Sequence, residues 1–259
     1  MPDYLSDDRT APLWQNLRQR RPLVHCLTNY VSMPLVANAL LAVGASPVMA
    51  RAEEEVGEIV SRAEAVVLNI GTPEPDVVRA MKIAAQTAAE AGVPIVLDPV
   101  GVGATVFRRD LVKELLTLCR PTIIRGNASE IRALLGLHTV AAGVDACQDE
   151  ADVDAHAVQL SRSLGSVVVA SGETDIVTDG QNTLRLTGGH DWMRRVTGTG
   201  CAATAIAAAC AAVEPDAFKA ATIAAQLMKQ AGAAAATTAK GPGSFAVSLL
   251  DELERLTSL

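Results

Sequence analysis

The chain is expected to be an α/β protein with a mostly parallel central sheet, and three observations point there. Short apolar runs of strand length alternate with helical segments along the whole sequence, the pattern of strands joined by crossover helices. About half of the 259 residues are hydrophobic (49%), while aromatic residues make up only 3%; alanine and valine dominate, as suits helices packed tightly on a buried sheet. One pair of strands flanks Asp179-Gly180 with hairpin spacing, which places antiparallel strands at an edge of the sheet.

The elements follow in order. Asp8 to Arg20 reads as a lead-in helix. Leu23 to Leu27 is the first strand and runs into Thr28-Asn29. Met33 to Val43 is a helix stopped by Gly44, and Ser46 to Met49 is a short strand. Glu53 to Ala63 carries acidic residues in its first turn, where the helix dipole favours them. Ala65 to Ile70 is a buried strand before Gly71-Thr72. Glu74 to Ala91 is a long helix ended by Gly92. Pro94 to Gly101 reads as a buried strand with a carboxylate, Asp98, at its carboxyl end. Leu111 to Leu118 is helical, Thr122 to Arg125 is a strand, and Gly126 to Glu130 turns into a helix over Ile131 to Leu135. Asp152 to Leu164 is helical and Ser166 to Ala170 is a strand. Ile176 to Thr178 pairs with Thr183 to Leu186 in the hairpin. Three helices close the chain: Cys201 to Val213, Ala217 to Ala236 and Val247 to Leu256, with Lys240 to Ser244 between the last two. A single domain over 1–259 accounts for the pattern.

The formal net charge is −7, which gives no electrostatic case for nucleic acid or an anionic membrane. Five cysteines (Cys26, Cys119, Cys147, Cys201, Cys210) are dispersed with no paired spacing, which argues for a reducing cytoplasm and against a disulfide framework or structural zinc. Met1 to Arg21 is too polar for a signal peptide, and the apolar run Thr199 to Val213 is too short to span a bilayer. A cytoplasmic protein is expected.

In open α/β sheets ligands bind beyond the carboxyl ends of the strands. The polar residues there are Thr28-Asn29, Asn69, Asp98, Arg125 to Glu130, Ser171 to Glu173 and Gly198 to Cys201. Val-Thr-Gly-Thr-Gly-Cys (196–201) runs straight into an Ala-rich helix. Its two glycines can expose backbone N–H groups, and the positive end of the helix points back at the loop, so it suits an anion. A helix-capping turn with Cys201 as a core residue is the plainer reading. A helix N-terminus lowers a thiol's pKa, but a phosphate in the same loop would raise it again, so Cys201 would be a modest base. If the loop holds a phosphate being transferred, as the resemblance given below implies, Gly200→Val is expected to abolish activity and Cys201→Asp to keep or raise it.

Asp98 and Glu130 end two successive strands and can converge on Mg²⁺, which takes one or two carboxylates plus waters; Glu130 three residues after Asn127 also fits a capping box. The Arg125 guanidinium suits phosphate, with a structural pairing to an acid elsewhere as the plainer reading, and Asp98 could equally just cap the turn made by Pro99. The sequence contains no GxxxxGK[ST] loop, which excludes ordinary P-loop kinases. His25, His138, His156 and His190 have no metal-ligand spacing and read as structural or surface residues.

These stretches resemble one family. Leu-Val-His-Cys-Leu-Thr-Asn (23–29), Gly-Ala-Ser-Pro-Val-Met (44–49), Leu-Asp-Pro-Val-Gly-Val-Gly-Ala (97–104), Ile-Arg-Gly-Asn-Ala-Ser-Glu-Ile (124–131), Val-Thr-Gly-Thr-Gly-Cys (196–201) and Gly-Pro-Gly-Ser-Phe (241–245) look like hydroxyethylthiazole kinase, in order over nearly the whole chain. The resemblance implies a ribokinase-like three-layer α/β/α sandwich and ATP-dependent phosphorylation of 4-methyl-5-(2-hydroxyethyl)thiazole toward thiamine. It further implies Mg²⁺ and a homotrimer with active sites at subunit boundaries. Residue by residue it implies that Met49 and Gly198 contact the thiazole and that Arg125 and Ser171 contact ATP; from their place at the strand ends Asn29 is added on the substrate side, and Asn127 and Gly200 on the ATP side. Asp98 and Glu130 would serve the metal, and Cys201 would stand beside the substrate hydroxyl, where most of the wider superfamily has Asp. A kinase of another alcohol, such as hydroxymethylpyrimidine, is the nearest rival. A superfamily member performing ATP-dependent dehydration and a non-catalytic sensor are the others.

Overall fold

In the computed structural model, residues 7–142 and 153–258 are described, with side chains over 10–136 and 153–258. Cys147 lies outside the described residues. The chain runs through α1 (Asp7–Arg20), β1 (Leu23–Leu27), α2 (Met33–Ala42), β2 (Ser46–Val48), α3 (Glu53–Val60), β3 (Ala65–Asn69), α4 (Pro75–Ala91), β4 (Ile95–Asp98) and α5 (Val106–Leu118). It continues through β5 (Ile123–Asn127), α6 (Ala128–Ala142), α7 (Val153–Leu164), β6 (Val167–Ser171), β7 (Asp175–Thr178) and β8 (Thr183–Leu186). A 3₁₀ turn (Asp191–Arg194), α8 (Thr199–Val213), α9 (Ala217–Thr238) and α10 (Pro242–Thr257) complete it.

The strands form one eight-stranded sheet in the order β2-β1-β3-β4-β5-β6-β7-β8. From β2 through β6 every pairing is parallel, and β7 and β8 are antiparallel at the edge, as the hairpin signal requires. Successive strand residues face opposite sides, and both sides are buried. Val24, Cys26, Val67 and Val96 join one cluster with α1, α2, α8, α9 and α10. Leu27, Val66, Leu68, Ile95 and Leu97 join another with α3 to α7. Two helical layers on a sheet make a three-layer sandwich, and double-sided burial is why the parallel strands read as unbroken apolar runs.

Local chemistry sets several boundaries. Gly92 ends α4 in the left-handed region (φ 67°), which glycine enters without steric cost. Asp216 caps α9 by accepting from the amides of Phe218 and Lys219. The last helix begins at Pro242 rather than at 247: proline's missing N–H costs nothing in a first turn, so the Lys240 to Ser244 stretch is largely helix. Helix α6 likewise starts at Ala128, directly after β5, and Glu130 lies in its first turn. Among the described residues no helix is long and apolar enough to cross a membrane.

Candidate functional site

The strand order reverses direction at β1, with β2 on one side and β3 on the other. Such a switch point opens a crevice at the carboxyl ends of the strands, and Asn29 and Asn69 stand at these two ends. Asn29 Nδ2 donates to Asn69 Oδ1 at 3.0 Å. Asn69 Oδ1 also accepts from the Gly71 amide at 2.9 Å, and Asn69 Nδ2 donates to Asp98 Oδ2 at 2.6 Å. Each partner fixes which way its neighbour's amide points. Both asparagines then direct N–H at the Cys201 sulfur, from 3.2 and 3.3 Å.

Cys201 lies in the first turn of α8. That helix is buried almost all round from Ala202 to Cys210; its alanines let it sit close against β1, β3 and β4. The turn before it works through Gly198, whose φ is 89° and whose hypothetical β-carbon would lie 3.0 Å from Ser32 Cβ and 3.2 Å from its Cα. Gly200 differs from expectation. It is already helical, its φ is not positive, and a β-carbon there would meet only Arg125 Nη1 at an ordinary 3.5 Å. Only the first glycine of the pair is demanded by the backbone.

The Cys201 thiol is also less acidic than its place at a helix N-terminus suggests. Burial and the nearby Asp98 charge push its pKa up, against the lowering effect of hydrogen bonds with Ser32, Asn29 and Asn69. Asp98 itself is almost fully buried and its pKa is pushed up to about 6, chiefly by desolvation. Arg125 and hydrogen bonds from Thr204 and Asn69 pull it down, and the Glu130 charge adds to the rise. Thr204 Oγ1 donates to Asp98 Oδ2 at 2.9 Å. Both side-chain hydrogen bonds therefore fall on Oδ2.

Glu130 forms the capping box that the spacing allowed. Its Oε2 accepts from the Asn127 amide at 2.8 Å, while Asn127 Oδ1 accepts from the Glu130 amide at 3.0 Å. Its Oε1 reaches across to the Gly101 amide at 2.9 Å, tying the loop after β4 to α6. Among the described residues no group of three or more His, Cys, Asp or Glu side chains is arranged to hold a metal. A pair of carboxylates, one with an oxygen left over, fits a hydrated Mg²⁺ completed by phosphate oxygens; it does not fit zinc.

A cavity of about 1030 Å³ opens on the other side of the α8 N-terminus. Arg125, Asn127, Ser171 and Gly200 all line it. Arg125 Nη1 donates to the Gly200 carbonyl at 3.1 Å, and the Ser171 hydroxyl to the Gly126 carbonyl at 3.2 Å. Asn29, Met49, Asp98, Gly198 and Cys201 do not line it. Met49 and Cys201 instead pack half-buried against the cluster that holds α2 and α8. Neighbouring residues of one helix turn thus face different ways: Gly200 faces the cavity and Cys201 faces the two asparagines.

A sequence model of the Hydroxyethylthiazole kinase family matches residues 14–258. The chain belongs to the hydroxyethylthiazole kinase family. A hydroxyethylthiazole kinase from Cereibacter sphaeroides is 50% identical over 241 residues, covering 93% of this chain and 91% of that protein. The solved hydroxyethylthiazole kinase structure from Pyrococcus horikoshii superposes with a TM-score of 0.86 at 42% identity, over 96% of this chain and 93% of the other. A ribokinase-like superfamily protein from Enterococcus faecalis shares the fold at 15% identity, with a TM-score of 0.66 over 97% and 95% of the two chains. The fold is ribokinase-like and membership of this kinase family makes the chain an enzyme, a kinase. The pyrimidine-kinase rival is not favoured.

Several site residues escaped the sequence reading. His190 is exposed and caps the 3₁₀ turn by accepting from the Trp192 amide at 3.2 Å, in keeping with a structural or surface residue, and it lines the cavity as well. Thr204 looked like one more small residue in an alanine run. Arg108 donates to the carbonyls of Ile70, Val100 and Gly71 and so braces the ends of β3 and β4 that carry Asn69 and Asp98. Nothing in local sequence marks such a brace. His25 and His156 are buried as expected, and the His138 side chain lies outside the described ones.

Proposed function

We propose that the chain transfers the γ-phosphoryl group of ATP to the hydroxyl of 4-methyl-5-(2-hydroxyethyl)thiazole, a salvage step toward thiamine. The observation that carries this reading is that, in the first turn of α8, Gly200 lines the large cavity while Cys201 faces Asn29 and Asn69. A phosphoryl group passing from the large cavity to an alcohol near the asparagines would cross the positive end of that helix, where backbone N–H groups without intrahelical acceptors favour anionic oxygens. Phosphoryl transfer is mostly positioning and charge neutralisation, and the residues present suit that work.

In this reading Arg125, Asn127, Ser171 and Gly200 hold the nucleotide, and Met49, Gly198 and Asn29 hold the thiazole. Cys201 stands beside the hydroxyl, with its sulfur fixed by two amide N–H groups. Asp98 and Glu130 would hold Mg²⁺, which supplies neutralisation of phosphate charge when bound. One continuous sheet supports a single kinase domain over 1–259. The acceptor residues lie outside the large cavity, and Tyr30 and Val31 beside them are 50% and 68% exposed; both facts suit a homotrimer whose sites are completed by a neighbouring subunit. Free described cysteines agree with a reducing cytoplasm.

The test is turnover. Purified protein with Mg²⁺ and ATP should convert the thiazole alcohol to its phosphate over many cycles, followed by mass spectrometry, and should prefer it to hydroxymethylpyrimidine. Absence of thiazole phosphate would sink the assignment, and a single stoichiometric event would favour a sensor.

A further inference from the structure

Lys229 lies in the alanine-rich α9, and its side chain is only 8% exposed. A buried ammonium is costly unless its three protons are met. Here they are: Nζ donates to the carbonyls of Gly172 and Glu173, each at 2.8 Å, and reaches Asp175 Oδ1 at 3.0 Å. The same carboxylate oxygen accepts from the Gly172 amide at 2.9 Å. The segment after β6 is therefore wrapped around one ammonium. A second segment leans on the stem and backbone of the same residue. The Gly189 amide donates to the Lys229 carbonyl at 3.0 Å, and β-carbons placed at Gly188 and Gly189 would lie 3.5 and 3.4 Å from Lys229 Cβ and Cδ. Both glycines have positive φ, 113° and 80°, so the chain passes close to the lysine in a conformation that side chains resist. Both segments, and Lys229 between them, line the large cavity.

We propose that Lys229 is a positioning residue for the nucleotide, setting the 172–175 segment against the 187–189 turn so that the cavity keeps the width ATP requires. This rests on reading the cavity as the ATP site. The protons of Lys229 are already taken by the loop, which distinguishes it from a phosphate-binding lysine. Its influence reaches ATP through Ser171 and the backbone that follows, and leaves the thiazole side untouched.

The experiment pairs calorimetric ATP binding with steady-state kinetics on the full chain. Lys229→Met strips two carbonyls of their donor and leaves the buried Asp175 carboxylate without its cation, with only the Gly172 amide still donating to it; Lys229→Met with Asp175→Asn restores charge balance but not the ammonium. Both variants should weaken ATP binding and raise the ATP KM by about tenfold or more, the effect of losing hydrogen bonds to a charged group, with the thiazole KM unchanged. The melting temperature should fall in the single variant and recover in the double. Recovery of ATP affinity along with stability in the double variant would overturn the proposal, as would wild-type ATP affinity in Lys229→Met. If the single variant does not fold, the double carries the test. Wild-type protein that binds ATP but leaves the thiazole unphosphorylated would refute the acceptor and not Lys229; wild-type protein that binds no ATP would refute both.

Discussion

Asp98 carries the largest electrostatic cost at the site. Its folded pKa of about 6 exceeds the unfolded value near ~3.9, so the folded chain holds this proton more tightly. Its contribution to stability is present below about pH 4 and is lost as pH rises through about 6, leaving a penalty on the order of 3 kcal/mol at neutral pH. Asp98→Asn should therefore raise the melting temperature at pH 7.5 in chelator-treated buffer, with the gain vanishing near pH 4, while abolishing turnover. A lower melting temperature at pH 7.5 would refute the cost. Cys201 sits in the same field. Burial and the Asp98 charge raise its pKa and so favour the neutral thiol, whereas an effective general base contributes about 10²–10⁴ in rate. Cys201→Ser should thus keep kcat within about tenfold. Cys201→Asp, able to accept the N–H groups of Asn29 and Asn69, should keep or raise it. A serine variant that is folded but slowed beyond about a hundredfold would make the thiolate the base.

The α8 helix and its entry turn are the element on which the site depends. The turn works because Gly198 occupies the left-handed region against the backbone of Ser32, at the start of α2. Gly198→Ala adds both conformational strain and a close contact; it should cost about 1–3 kcal/mol in stability and most of the activity. Gly200→Ala should fold normally, because only the movable tip of Arg125 is near. Equal thermal destabilisation of the two variants would contradict this asymmetry. The sequence presents the two glycines alike; their difference arises only when α2 is folded against the turn.

At the scale of the whole molecule, Tyr30 and Val31 stand exposed next to the buried Asn29, and the proposed trimer would cover them. Native mass spectrometry or light scattering should give three times the 26.9 kDa chain mass. Val31→Asp should release folded monomers with little turnover, since a charge inside an apolar contact is expensive. A fully active wild-type monomer would end the trimer reading. The fold was largely legible beforehand. Double-sided burial writes itself as unbroken runs such as Ala65 to Ile70, and the edge hairpin as Asp179-Gly180 between short strands. Helix starts were less legible at 128 and 242, because capping and proline chemistry extend a helix into stretches that read as turns.

What the sequence determined by itself was the layer architecture, the family and the polar residues at the strand ends, all of which depend on local pattern and order along the chain. What tertiary structure decided was which of those residues line the cavity, which glycine the backbone demands, the direction in which Asp98 and Cys201 are shifted, and the partners of Arg108 and Lys229. Each of these depends on partners distant in sequence: Asp98 meets Thr204, and Lys229 meets Gly172. Desolvation and three-way hydrogen bonding are properties of the assembled site, and no local pattern in the chain encodes them.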